Sequence, residues 1–161
     1  MDEQNETDKF LEWAFDQSGR NPLAWEHSAA DLLSAAEAVK EKVIDFGEGG
    51  MHSLAAVQAM LLGFAIECML KGMYIKTTGN TLTHDGRYQG IPNAGDHQLG
   101  QIADAAGYAM SVDERRVLDK LSAFILFAGR YPISTNWRAD EAHQRKGWRS
   151  EFSEAHSKVG P

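Results

Sequence analysis

Apolar side chains at Trp25, Ala29, Leu32, Ala36, Val39, Val43 and Phe46 recur every three or four positions, the period of an amphipathic helix with one buried stripe. Asn21 and Pro22 open that helix, because an asparagine side chain accepts a free first-turn amide and proline needs no partner there; Gly47 supplies a left-handed stop. The pattern resumes at Leu54, Val57, Leu61, Phe64, Ala65, Cys68 and Ile75, and between Ala59 and Ile66 it is apolar on almost every side. A helix of that kind belongs in the middle of a bundle. Residues 77–95 hold Gly79, Gly86, Gly90, Pro92 and Gly95 with little helical period, which predicts one long irregular loop. Asp96 is positioned to cap a short helix carrying Leu99, Ile102, Ala103 and Ala106, ended by Gly107. Ser111-Val112-Asp113-Glu114 forms a capping box that opens a helix with Val117, Leu118, Leu121, Phe124, Ile125 and Ala128 inward, and Gly129 with Pro132 ends it. A final helix over residues 137–158 directs Trp148, Phe152, Ala155 and Val159 inward, while Phe10, Leu11 and Ala14 form a short helix before Gly19. No alternating strand of useful length is present. The pattern predicts an all-α fold, a bundle of four principal helices with shorter accessory ones, in which residues 1–20 are an acidic arm and 21–161 one domain.

Composition narrows this picture. The chain has 161 residues, 43% of them apolar and 24% charged, which suits one soluble domain able to bury its own core. Cys68 is the only cysteine, so neither a disulfide framework nor a multi-cysteine zinc site is expected, and a reducing compartment fits. The apolar stretch 54–75 is interrupted by Gln58, Glu67 and Lys71, short of an uninterrupted run of about 18 residues that a membrane span needs. The opening Met1-Asp2-Glu3-Gln4-Asn5-Glu6 is acidic where a secretory signal is basic and then apolar. The expectation is a cytoplasmic protein with no membrane partner. A net charge of −7 argues against broad nonspecific binding to nucleic acid, yet the charge is uneven. Residues 130–149 carry Arg130, Arg138, Arg145, Lys146 and Arg149 against Asp140 and Glu141, while the first 16 residues carry six acids against Lys9. Charge runs of this kind ordinarily solvate a surface.

The segment Leu62-Gly63-Phe64-Ala65-Ile66-Glu67-Cys68-Met69-Leu70-Lys71-Gly72, the later Asp96-His97-Gln98-Leu99 with Ile102-Ala103, and the helix end at Gly129-Arg130-Tyr131-Pro132 together resemble HEPN-domain proteins. These are small prokaryotic helical bundles, many of them associated with toxin–antitoxin systems and phage defence. The likeness covers roughly residues 23–158. The short helix departs from the usual His-Asp-Leu form, with Asp96 and His97 reversed and Gln98 inserted. Ribonucleolytic members carry an arginine, four to six residues, then a histidine near the start of the last helix; Arg138 and His143 match that spacing and position, although Ala139 stands where a polar residue is usual. A second pair, Arg20 and His27, also fits the spacing but lies early in the chain. The resemblance implies a homodimer, a possible RNA ligand and a possible small antitoxin partner.

Cleavage of RNA through its own 2′-hydroxyl needs a proton-transfer group active near neutral pH and a cation for the developing phosphate charge, and His143 with Arg138 would supply both without a metal or other cofactor. Glu67 and Lys71, one turn apart on the most apolar helix, are a second candidate with Arg130 and Tyr131; a buried ion pair that fixes packing is the plainer reading. His84-Asp85 and Asp96-His97 flank the loop, but no helix carries two histidines at ligand spacing, so no metal site is expected. Gly47-Glu48-Gly49-Gly50 lacks the strand and the Gly-Lys-Ser/Thr of a phosphate loop. Two functions follow. The favoured one is a noncatalytic HEPN-like interaction or RNA-binding module; the other is a metal-independent endoribonuclease using Arg138 and His143.

Overall fold

The computed structural model describes residues 3–40, 42–45 and 51–128. In chain order these form α1 (Glu3–Arg20), α2 (Pro22–Val39), β1 (Val43–Asp45), β2 (Met51–Ser53), α3 (Ala55–Thr78), β3 (Thr83–His84), β4 (Arg87–Tyr88), α4 (Leu99–Ala105) and α5 (Val112–Ala123), which runs on into one π-helical turn, Phe124–Ala128. The protein is mostly helical, as the periodicity predicts, with two antiparallel strand pairs added. Two of the three helix starts read from local chemistry are present. The Asn21 side chain accepts the Leu23 amide at 3.1 Å, and the Ser111 hydroxyl accepts the Glu114 amide while the Glu114 carboxylate accepts the Ser111 amide.

Helix α3 is the centre. Helix α2 packs along it antiparallel, with Pro22, Trp25 and Glu26 against Gly72. Helix α5 also runs antiparallel to it, since its first residues Asp113 and Glu114 line one groove with Met73 and Lys76 while Gly63 meets Leu121 and Ile125 at the other end. The buried core joins Leu70, Tyr74 and Ile75 of α3 to Leu82, Ile91, Leu99, Ile102, Leu118, Leu121, Phe124 and Ile125. By length and composition α3 is apolar enough to cross a bilayer, yet Glu67 and Lys71 lie buried in its middle.

Five expectations are corrected. Helix α2 stops at Val39, and Val43 pairs with Ser53 in a β1–β2 hairpin instead of extending the helical stripe; the adjacent β-branched Val43 and Ile44 suit a strand. The supposed loop over 77–95 begins with the last turn of α3, ended by Gly79 at φ +70°, and continues as a hairpin around Asp85-Gly86, both at positive φ. Asp-Gly is a strong two-residue hairpin signal, here flanked by strands too short to show alternation. Asp96 does not cap α4, whose first residue Leu99 donates its amide to the Ser122 hydroxyl at 2.9 Å. Val117 is 53% exposed rather than inward, and α1 is a full 18-residue helix that includes Gly19. The expected helix over 137–158, with Trp148, Phe152, Ala155 and Val159, lies outside the described residues.

Candidate functional site

The polar residues singled out on α3 form the buried centre of a partly exposed cluster. Positions 67 and 71 are one helical turn apart, so their side chains meet on one face. The Lys71 ammonium donates to Glu67 Oε1, and both side chains are almost fully buried. Glu67 Oε2 pairs with His97 Nδ1 at 2.8 Å, so each carboxylate oxygen has a partner. Lys71 Nζ lies 5.1 Å from the centre of the Tyr88 ring and 5.5 Å from that of Trp25, within cation–π range of both. Tyr88 in turn donates its hydroxyl to Asp96 Oδ1 at 3.1 Å, and Asp96 Oδ1 stands 4.0 Å from Lys71 Nζ.

Burial works against the charge on Lys71, but the hydrogen bonds and charge of Glu67 and the Tyr88 contact outweigh it and hold the ammonium above its ordinary pKa. Burial raises the Tyr88 phenol, and burial followed by the Glu67 charge raises the Cys68 thiol, so neither becomes an anion at neutral pH. Cys68 is therefore a poor nucleophile. His97 has its backbone at φ +66° and its ring edge-on to Phe64 with centroids 5.7 Å apart. That left-handed conformation is uncommon for a side-chain-bearing residue and is held by these two side-chain contacts.

The sequence pairs Glu67 with Lys71 correctly but leaves His97, Tyr88 and Trp25 out. The signal that would add His97 is the Asp96-His97 dipeptide, read there as a loop flank and as part of the family resemblance but not as a partner of Glu67. His84 and Asp85, the other flank, pair with each other on the exposed hairpin at 3.0 Å. Among the described residues no group of three or more histidine, cysteine or acidic side chains is arranged to hold a metal. Arg130, Tyr131, Arg138 and His143 lie outside the described residues.

A second feature lies on another face of α3. A groove of about 980 Å³ runs between α2 and α5 with α3 as its floor, lined by Leu33, Leu62, Ile66, Met69, Met73 and Val117 among others. Met69 is 58% exposed and Leu33 46% exposed there. Glu26, Asp113 and Glu114 put three acids at its edge against Lys76.

The fold and the cluster together define an all-α helical protein with a buried ion pair at its centre. Comparison with known protein families, characterised proteins and solved structures finds no match.

Proposed function

We propose that the chain is a noncatalytic HEPN-like interaction module, a bundle of four principal helices that works in a toxin–antitoxin or defence setting. The observation that carries the noncatalytic reading is the state of Glu67. Both of its oxygens are engaged, one by Lys71 and one by His97, inside a site where the carboxylate is 5% exposed. General acid–base chemistry needs a group within reach of a substrate proton, and these partners hold the carboxylate and ammonium against each other instead. The cluster serves as a packing device that fixes α4 and the β3–β4 hairpin onto α3. In this reading α3 is a core helix rather than a membrane span, because its two mid-helix charges are satisfied within the chain. The resemblance supplies the remaining parts of the proposal: a homodimer, cytoplasmic, with a small antitoxin-like protein as partner, no membrane contact and no cofactor.

The test is incubation of the purified full chain with single-stranded and structured RNA in EDTA. The proposal expects no cutting above that given by Arg138→Ala and His143→Ala. Cutting by the parent that both substitutions abolish, with their melting temperatures kept, would replace it with the metal-independent endoribonuclease. Light scattering checks the dimer, and a monomer at high micromolar concentration contradicts it.

A further inference from the structure

We infer that α1 is an interface between two copies of this chain, pairing with the α1 of a second copy in antiparallel orientation about a two-fold axis beside Trp13. The inference deepens the functional proposal by naming the surface through which the homodimer forms; it rests on that dimer and not on the noncatalytic reading.

Helix α1 is attached to the rest of the molecule by its less apolar side. Gly19 lies against the Thr83 side chain, the stem of Glu12 rests on Gly86, and the Asp16 carbonyl accepts the Thr83 hydroxyl at 3.3 Å, so the β3–β4 hairpin covers the face that holds these residues. Successive residues of a helix are about 100° apart around its axis, which puts Phe10, Ala14 and Leu11 on the opposite side with Trp13 and Phe15 at the two edges. Phe10 is 62% exposed, Leu11 58%, Trp13 57% and Phe15 44%, and the Phe10 and Trp13 rings lie together with centroids 5.9 Å apart. An amphipathic helix ordinarily turns its apolar stripe to its own core. Here the stripe faces away from it, which marks an interaction surface.

The charges beside the stripe say what covers it. Glu6, Lys9, Trp13, Asp16 and Arg20 follow one another at spacings of three, four, three and four, so they share one line along the Trp13 edge. Read in either direction from Trp13, the line meets opposite charges at matching steps. A two-fold axis between antiparallel helices sets the same edge of each against the other, and every contact occurs twice. Glu6 then stands opposite the second copy's Arg20, Lys9 opposite its Asp16, and the two Trp13 side chains meet at the axis. On the other edge Leu11 faces the second copy's Phe15. Parallel pairing sets Glu6 against Glu6 and Arg20 against Arg20 instead. None of these four charged side chains has an ion-pair partner among the described residues.

Other coverings of the stripe fit less well. From Glu6 to Arg20 the helix carries four acids against two bases, whereas a helix that lies in an anionic membrane surface has lysine and arginine on its polar face. The groove between α2 and α5 of a second copy has Glu26, Asp113 and Glu114 at its edge against Lys76, the same sign as α1. Only the antiparallel self-pair gives each charge on the Trp13 line an opposite one, and its aromatic centre supplies the apolar contact.

The test is sedimentation of the full chain and its variants. Glu6→Arg sets a positive charge opposite the second copy's Arg20 at both ends of the pair, and Arg20→Glu sets a negative charge opposite Glu6; each is expected to raise the dimer dissociation constant about tenfold. Both substitutions in one chain exchange the signs and are expected to restore the parent value, as is an equal mixture of the two single variants. Both residues are exposed, so unchanged far-UV circular dichroism checks that the variants stay folded. Oxidative cross-linking in a Cys68→Ser background fixes the direction. Ala14→Cys copies, about 3 Å apart along the axis, should join through a disulfide, and Glu6→Cys copies, about 21 Å apart, should not. A dimer that the single charge variants leave unchanged, or that the double variant fails to restore, overturns the α1 interface and leaves the homodimer to another surface. Glu6→Cys copies that link as readily as Ala14→Cys copies assign a parallel pair and also overturn it. A monomeric parent removes the dimer together with the interface, while the noncatalytic reading is decided separately by the RNA assay.

Discussion

Lys71 keeps its charge inside the protein because Glu67 and Tyr88 meet it, and that has a measurable pH consequence. A lysine whose folded pKa is raised contributes stability fully below its unfolded pKa, about 10.4, and loses that contribution as pH rises through the higher folded value. The protein should therefore show a component of stability that persists from neutral pH to about 10 and declines above it. In Lys71→Met that alkaline component should be missing when urea midpoints are measured across the range. An identical alkaline decline in parent and variant would remove Lys71 as its source. The glycine at 63 provides a second test at this scale. A methyl group there would fall 2.7 Å from Ile125 Cγ1, so Gly63→Ala should destabilise by about 1–3 kcal/mol in chemical denaturation, and Ile125→Ala in the same chain should relieve part of the clash.

Among the elements, two helix starts with local signals were readable from the sequence. Asn21-Pro22 and Ser111 to Glu114 each act within three residues, and both caps are present. Ser111→Ala should cost about 1 kcal/mol, read as a lower melting temperature, because the Glu114 amide in the first turn loses its acceptor. Elements that depend on tertiary pairing were not readable. The strands β1 to β4 are two or three residues long, too short for alternation, and β1 continues the apolar spacing of α2 closely enough to be counted as helix. Amino-acid spacing likewise gives no sign of the π-helical turn at Phe124–Ala128, which sits where Gly63 admits Ile125 to the α3 backbone. The candidate site divides in the same way. Glu67 and Lys71 are one turn apart and were legible as a pair, whereas His97 comes from 30 residues away through a left-handed backbone turn that periodicity cannot register.

For the whole molecule, α3 organises everything else: α2 and α5 pack on it, its polar face ties down the hairpin and α4, and its remaining face forms the groove floor. The central claim is that the charged groups on this helix hold the fold together and perform no chemistry. A double-mutant cycle at Glu67 and Lys71, followed by urea unfolding, tests it most directly. Removing one partner of a buried pair leaves the other charge uncompensated at a cost of about 3–5 kcal/mol, while replacing both with apolar residues of similar volume is close to neutral. The account predicts that Glu67→Leu and Lys71→Met each lose stability on that scale and that the double variant recovers most of it with the same dependence on urea. Single variants that unfold like the parent, or a double variant that loses the sum of the two, would contradict it.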